Sequence, residues 1–332
     1  MKRFFLTILS YTLIAFNSAG QFAIVPDDMP AIEKALVVND DGDSIGYYFN
    51  IDEKTASVTY RGNNFYDNEY SDSIVIPKEV KYNGETYLVT KIGDNAFEGC
   101  SKLTNVTIPN SVTKIGRFSF RGCRKLTNVT IPDNVKEIAW RAFMACTNLT
   151  EVTIPANTAT INDEAFMKCS ALKSIVVEKG SQNYCSENGV LYDKSKTTLL
   201  KCPEGKEGEL VIPNGVKKIS HGALANCKIT EVTIPNSLIE IGRYSFSHCT
   251  LKSITCNCVN PPAMYNKYGF YEVEKNIPVY EPSESVEKYK NAVEWNELKT
   301  SCQYQLNDAK SYIYHEQRKR KFHFVLCNFK KL

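Results

Sequence analysis

A 23-residue spacing recurs in register along the middle of this chain, and it limits the possible folds more than any other feature. Ile92, Ile115, Ile138 and Ile161 share one place in the unit, and Phe97, Phe120, Phe143 and Phe166 share a second. Cys100, Cys123, Cys146 and Cys169 share a third, and Leu103, Leu126, Leu149 and Leu172 a fourth. Four units follow one another without a gap. A fixed period in the twenties implies a solenoid, in which each coil buries its apolar side against the next.

Within one unit, Leu103, Val106 and Ile108 alternate with the outward Asn105 and Thr107, which is the pattern of a half-buried strand. Pro109 stops it. Val112 to Ile115 gives a second short extended piece ended by Gly116, and Arg117 to Cys123 reads as a helical turn that buries Phe120 and Cys123. About six core side chains per unit, at ~1.5–3 kcal/mol each, do not offset a backbone ordering cost of ~1–2 kcal/mol per residue. Stacking must supply the rest. The expected fold is a β-rich (α/β) solenoid of about 23-residue coils, each a strand, a short second strand and a helical turn, with caps at both ends and one inserted hairpin.

The register defines the organisation. Residues 1–20 read as a signal peptide: Lys2 and Arg3, a 13-residue mostly apolar run from Phe4 to Phe16, then Ser18-Ala19-Gly20. Residues 21–85 lack the repeat but carry strand-like runs and an Asn83-Gly84 hairpin signal, as an N-terminal β cap would. Repeats occupy 86–177. Residues 178–210 interrupt them, with Gly189–Asp193 and Thr197–Leu200 reading as a hairpin. Repeats resume over 211–256, where Ile219, Leu224 and Cys227 and then Ile241, Phe246 and Cys249 fill the same slots. A C-terminal cap spans 257–300, with Ile277–Tyr280 as its last strand, Ser283 capping a short helix and Trp295 closing the apolar edge. Residues 301–332 form a basic tail that need not be ordered. No stretch after the leader is long and apolar enough for a transmembrane helix.

The net charge of +3 hides a split. Removing the two basic residues of the leader and the net five of the last 17 residues leaves a body of about −4. That excludes a uniformly cationic nucleic-acid surface on the repeats. Arg318-Lys319-Arg320-Lys321 in the tail can make a weak contact with an anionic surface.

Twelve cysteines in an exported chain would ordinarily suggest disulfides. Here Cys100, Cys123, Cys146, Cys169, Cys227 and Cys249 each occur once per coil. Stacked at about 4.8 Å and pointing the same way, they do not present the facing ~3.8 Å β-carbons of a disulfide. They read as buried free thiols. Cys185 and Cys202 flank the hairpin, and both pairing and free thiols stay open for them. Cys256-Asn257-Cys258 lacks a second ligand pair, so no metal site is expected.

No phosphate-binding glycine loop, His-Glu-x-x-His or Gly-x-Ser-x-Gly is present, and His221 and His248 fall at variable, outward repeat positions. No enzyme activity and no cofactor are expected. The candidate contact surface is the outer face of the first strand array: Asn105, Thr107, Asn128, Thr130, Glu151, Thr153, Glu231 and Thr233. Threonine is also simply a good exposed strand residue.

The run Ile92-Gly93-x-x-Ala96-Phe97-x-x-Cys100-x-x-Leu103-x-x-Val106-x-Ile108-Pro109 resembles the repeat of the BspA-type leucine-rich repeat surface proteins. Asn188-Gly189-Val190-Leu191-Tyr192 leading to Cys202-Pro203 is similar to a hairpin module of that family, and Val279-Tyr280-Glu281-Pro282-Ser283 through Trp295 resembles its terminal element. The resemblance implies an exported leucine-rich-repeat solenoid at the cell surface or secreted, binding an extracellular protein or glycan, in some members as an adhesin, with no catalytic residues. The other function class is a structural, envelope-associated spacer with no specific ligand. The last thirty residues match no part of the family pattern.

Overall fold

The computed structural model describes residues 32–62, 68–162, 164–265 and 268–304, with two short paired strands upstream, Ile14–Phe16 and Phe22–Ile24. The rest of the expected signal peptide and the tail beyond 304 lie outside the described residues.

The chain winds as a β-rich solenoid of about 8 turns, with about 23 residues per coil. Its repeat positions become neighbours in space. Ile92, Ile115, Ile138 and Ile161 pair in parallel register in one sheet. Leu199, Ile219, Ile241 and Met264 form the same column in a second. The ring column is as regular. Phe97, Phe120, Phe143 and Phe166 stack with centroids 5.1, 5.1 and 5.5 Å apart and planes within 11° of parallel. Each ring is buried, so each coil's aromatic forms the floor for the next.

The segment expected as a helical turn is a run of three overlapping turns, closed by Ser119 N–H to Gly116 O, Arg121 N–H to Phe118 O and Cys123 N–H to Phe120 O. Phe118 and Gly122 in one coil, and Arg141 and Ala145 in the next, take left-handed backbone angles that a helix does not allow. The unwound backbone then bonds between coils: Phe118 N–H to Trp140 O at 3.2 Å, Phe120 N–H to Ala142 O at 2.8 Å, Gly122 N–H to Met144 O at 2.8 Å. A helical turn would keep those donors within its own coil.

The repeat cysteines are free and buried, and their thiols have partners. Cys123, Cys146 and Cys169 each donate from Sγ to the carbonyl of the preceding coil's phenylalanine, Phe97, Phe120 and Phe143, at 3.1 Å. Cys249 does the same to Leu224 O at 2.9 Å. Cysteine is therefore both a small apolar filler and the donor that satisfies a buried carbonyl. Cys185 and Cys202 are also free; Cys185 Sγ donates to Asp193 O at 3.1 Å.

At the N-terminal end, strands Ile32–Val38, Ser44–Asn50 and Thr55–Thr59 pair antiparallel, and the last joins strand Glu85–Ile92 in parallel. Asn83 and Gly84, both at positive φ, turn the hairpin between Glu79–Tyr82 and Glu85–Ile92. At the other end, Trp295 is buried and donates Nε1–H to Pro262 O at 3.1 Å. Two expectations are corrected there. Ser283 makes no side-chain capping bond; a 3-10 turn, Ser283–Ser285, leads into helix Val286–Asn291. Strand Pro278–Pro282 is not the last, because Lys299–Tyr304 pairs beside it in parallel. That strand crosses the boundary set at 300.

The interruption is a three-stranded antiparallel unit of Tyr184–Glu187, Val190–Asp193 and Thr198–Lys201. It divides the interior into two apolar clusters, one through the coils before it and one through those after it. It also corrects one predicted core residue. Ile161 is only half-buried, because no isoleucine of a following coil stacks on it. A small cavity of about 70 Å³ lies there instead, against Tyr184, Leu191 and Leu200. The other predicted core residues, from Ile92 to Cys249, are buried.

Candidate functional site

The predicted contact residues point outward, six of them by strand alternation. Asn105, Thr107, Asn128, Thr130, Glu151, Thr153 and Glu231 are exposed and Thr233 is half-buried. Register makes rows of them. Asn105 pairs with Ser73 and Thr107 with Val75; Glu151 pairs with Ser174 and Thr153 with Val176. After the hairpin, Glu231 pairs with Glu209 and Ser253, and Thr233 with Val211 and Thr255. These pairings fall in three separate sheets, one holding Asn105 and Thr107, one Glu151 and Thr153, and one Glu231 and Thr233, while Asn128 and Thr130 lie in a segment outside any strand, so the eight residues do not form one continuous face. Between the second and third of these sheets the hairpin leaves a groove of about 360 Å³ beside Asn188, Lys206 and Val211. The Thr row also includes exposed Val75, Val176 and Val211, so it is a stripe of β-branched residues more than a polar ladder.

The sequence reading missed a second surface, along the outer edge of the turns. There the two variable residues after the column isoleucine or its alanine or glycine neighbour carry arginine beside an aromatic: Arg117-Phe118, Trp140-Arg141 and Arg243-Tyr244. Read one coil at a time these look like ordinary exposed positions. Stacked, they interlock. Phe118 meets Trp140 edge to face at 4.9 Å, and Arg141 lies over the Trp140 ring at 4.1 Å. Glu164 accepts Arg141 Nε–H at 2.6 Å and Trp140 Nε1–H at 3.1 Å. Further along, Tyr244 touches Tyr268 at 5.3 Å, Tyr271 at 5.8 Å and His221 at 5.9 Å, with Arg243 over its ring at 4.7 Å.

The repeat thiols are held in the protonated form. Burial pushes Cys100, Cys169 and Cys249 up to about 12 and holds Cys123, Cys146 and Cys227 well above the usual thiol range. Cys256 and Cys258 are buried around Tyr289, whose hydroxyl donates toward Cys256 Sγ at 3.1 Å and to Cys258 O at 2.9 Å. Among the described residues no three His, Cys, Asp or Glu side chains gather as metal ligands.

Six copies of the BspA type leucine-rich repeat region are recognised, over residues 90–188 and 204–300. The chain belongs to the BspA-type leucine-rich repeat family. Among solved structures, a leucine-rich cell surface protein from Faecalibacterium prausnitzii is similar at 24% identity, covering 84% of this chain and 100% of its own, with a TM-score of 0.45. A leucine-rich repeat protein from Eubacterium ventriosum is similar at 20% identity over 76% and 79%, TM-score 0.46. The pneumococcal vaccine antigen PcpA is similar at 17% identity over 81% and 98%, TM-score 0.43. The family membership rests on the repeats. Among curated proteins none matches. BspA-type solenoids are scaffolds and generally not enzymes. No helix among the described residues is long and apolar enough to cross a membrane.

Proposed function

We infer that this BspA-type protein is exported, sits at the cell surface or outside the cell, and binds an extracellular protein or glycan, as an adhesin does. The observation that carries the reading is the exposed face ahead of the hairpin, where three successive coils present Asn105 and Thr107, Asn128 and Thr130, and Glu151 and Thr153 outward. A flat array of short side chains costs little to desolvate and suits a broad interface of about 800 Å² per partner. Residues 1–20 supply the export signal in this reading, so the mature chain begins at Gln21, which N-terminal mass spectrometry of secreted material checks. Replacing Asn128, Thr130 and Glu151 together with Lys should abolish adhesion to matrix proteins and mucins while the circular dichroism spectrum stays unchanged. Unchanged adhesion would remove the strand face from the account. A spacer without a ligand is the second reading, favoured by the β-branched stripe, which strand propensity alone produces. It requires that a screen of the intact protein against matrix proteins and polysaccharides find no saturable binding.

A further inference from the structure

We propose that the notch behind the inserted hairpin, on the turn edge and away from the strand face, binds a carboxylated pyranose: a uronic or sialic acid residue of a glycan. The notch is a cavity of about 260 Å³ between Lys168 and Lys201 on one side and His221, Tyr244 and His248 on the other. Ordinary ligand pockets hold ~300–1,000 Å³, so this one suits a single sugar ring.

The insertion creates it. Cys202 N–H donates to Ala223 O at 2.8 Å, in the slot where Phe143 N–H donates to Ala165 O. Cys202 therefore replaces the coil's phenylalanine, and Lys201 replaces the small residue before it, which is Ala96, Ser119, Ala142, Ala165, Ala223 or Ser245 elsewhere. A lysine in an alanine slot is not a packing choice. Its side chain is only 5% exposed, and its ammonium reaches Glu204 and Gly222 O at 3.5 Å each, the long limit of a hydrogen bond. Glu204 Oε1 is already engaged by Lys168 N–H at 2.7 Å. The ammonium thus keeps donor capacity toward the notch, beside the Lys168 side chain. Glu164 faces the same space but is neutralised by Arg141.

The opposite wall is aromatic. Tyr244 is half-buried, with His221 at its edge, and it continues into the exposed rings of Tyr268 and Tyr271. A pyranose has one face of C–H groups, which packs on an aromatic ring, and a rim of hydroxyls, which bond imidazole and carboxylate. The carboxylate substituent would meet the two ammonium groups. An aromatic platform facing one buried and one exposed ammonium group is complementary to this class, and either half alone is not.

The test titrates the full chain by saturation-transfer NMR with D-glucuronate and N-acetylneuraminate. D-glucose serves as the ring without charge and acetate as the charge without ring. Saturable binding of either acidic sugar is expected, with glucose at least about tenfold weaker and acetate not competing. Lys168→Gln, at an exposed position, should weaken it about fivefold or more, and Tyr244→Ala should abolish it. The strand-face triple lysine variant should leave it unchanged, which separates this site from the proposed adhesive face. Equal binding of glucose, displacement by acetate, or indifference to both Lys168→Gln and Tyr244→Ala overturns the proposal.

Discussion

The coils of residues 90–177 and the junction of residues 178–210 obey different rules on the same superhelix. In the coils every slot repeats: ring on ring, isoleucine beside isoleucine, thiol to carbonyl. At the junction the slots persist but their contents change. Leu199 holds the isoleucine column, Cys202 stands for phenylalanine and Lys201 for alanine. The junction leaves grooves on both sides of the hairpin. Repetition gives stability, and its interruption gives shape. Where a coil is replaced, a solenoid gains a concave, chemically individual place.

Truncation in the regular stack should therefore cost most. Phe143→Ala removes a ring packed on both faces and should destabilise by ~3–5 kcal/mol in urea or thermal unfolding. A cost under about 1 kcal/mol would mean the column is not a shared core. At the junction the decisive change is electrostatic. Lys201→Met leaves Glu204 buried beside a neutral chain and should cost about 3 kcal/mol, and adding Glu204→Gln should recover most of it. Burial already raises the Glu204 carboxyl above its usual range, with Lys201 acting against that. No recovery in the double variant would show that Lys201 acts through packing.

The C-terminal cap extends the contrast. Glu281 follows Tyr280, the partner of Thr255, so it occupies the inward slot that Cys256 and Ile234 fill in the coils before it. It is fully buried, and neither carboxylate oxygen has a hydrogen-bond partner among the described residues. Burial raises its pKa from 4.5 to about 7. The folded chain therefore keeps this proton up to about pH 7, while the unfolded chain releases it near 4.5. The unfolded state binds fewer protons in that window, so this residue lowers stability as pH rises from 4.5 to 7 and adds no further change above. Glu281→Gln should then stabilise by on the order of 2 kcal/mol at pH 8 and by little at pH 4. An equal effect at both pH values would assign the gain to something other than ionisation. The smallest effect belongs to the outward face: Thr130→Ala should cost well under about 1 kcal/mol.

The core was legible because burial at fixed spacing is written in residue type. Phe143, Cys146 and Leu149 could be placed from the 23-residue period alone. The expected helical turn was not legible, since Phe118 and Arg141 adopt left-handed angles that neither residue type announces. The thiol bonds were missed because cysteine's packing role alone explained its recurrence. The aromatic edge was missed for a different reason. Arg117-Phe118, Trp140-Arg141 and Arg243-Tyr244 are variable within the unit, and only stacking brings them into one surface. The notch could not be read at all, because its residues come from three separate stretches, 164–168, 201 and 221–248. The strand face was legible residue by residue, but its division was not: no strand forms at residues 126–132, and the hairpin packs against the coil before it, with Ile175 N–H bonded to Gly189 O at 2.9 Å.

Amide hydrogen exchange, resolved by residue, weighs the regular coils against the junction in one experiment. The amides of Phe120 and Phe143, bonded coil to coil at 2.8 Å, should be at least about tenfold slower than those of Lys194 and Lys196, which sit at the exposed tip of the junction and bond only within it. Uniform protection across both regions, or a Phe143 amide that exchanges as fast as an exposed loop, would contradict the account.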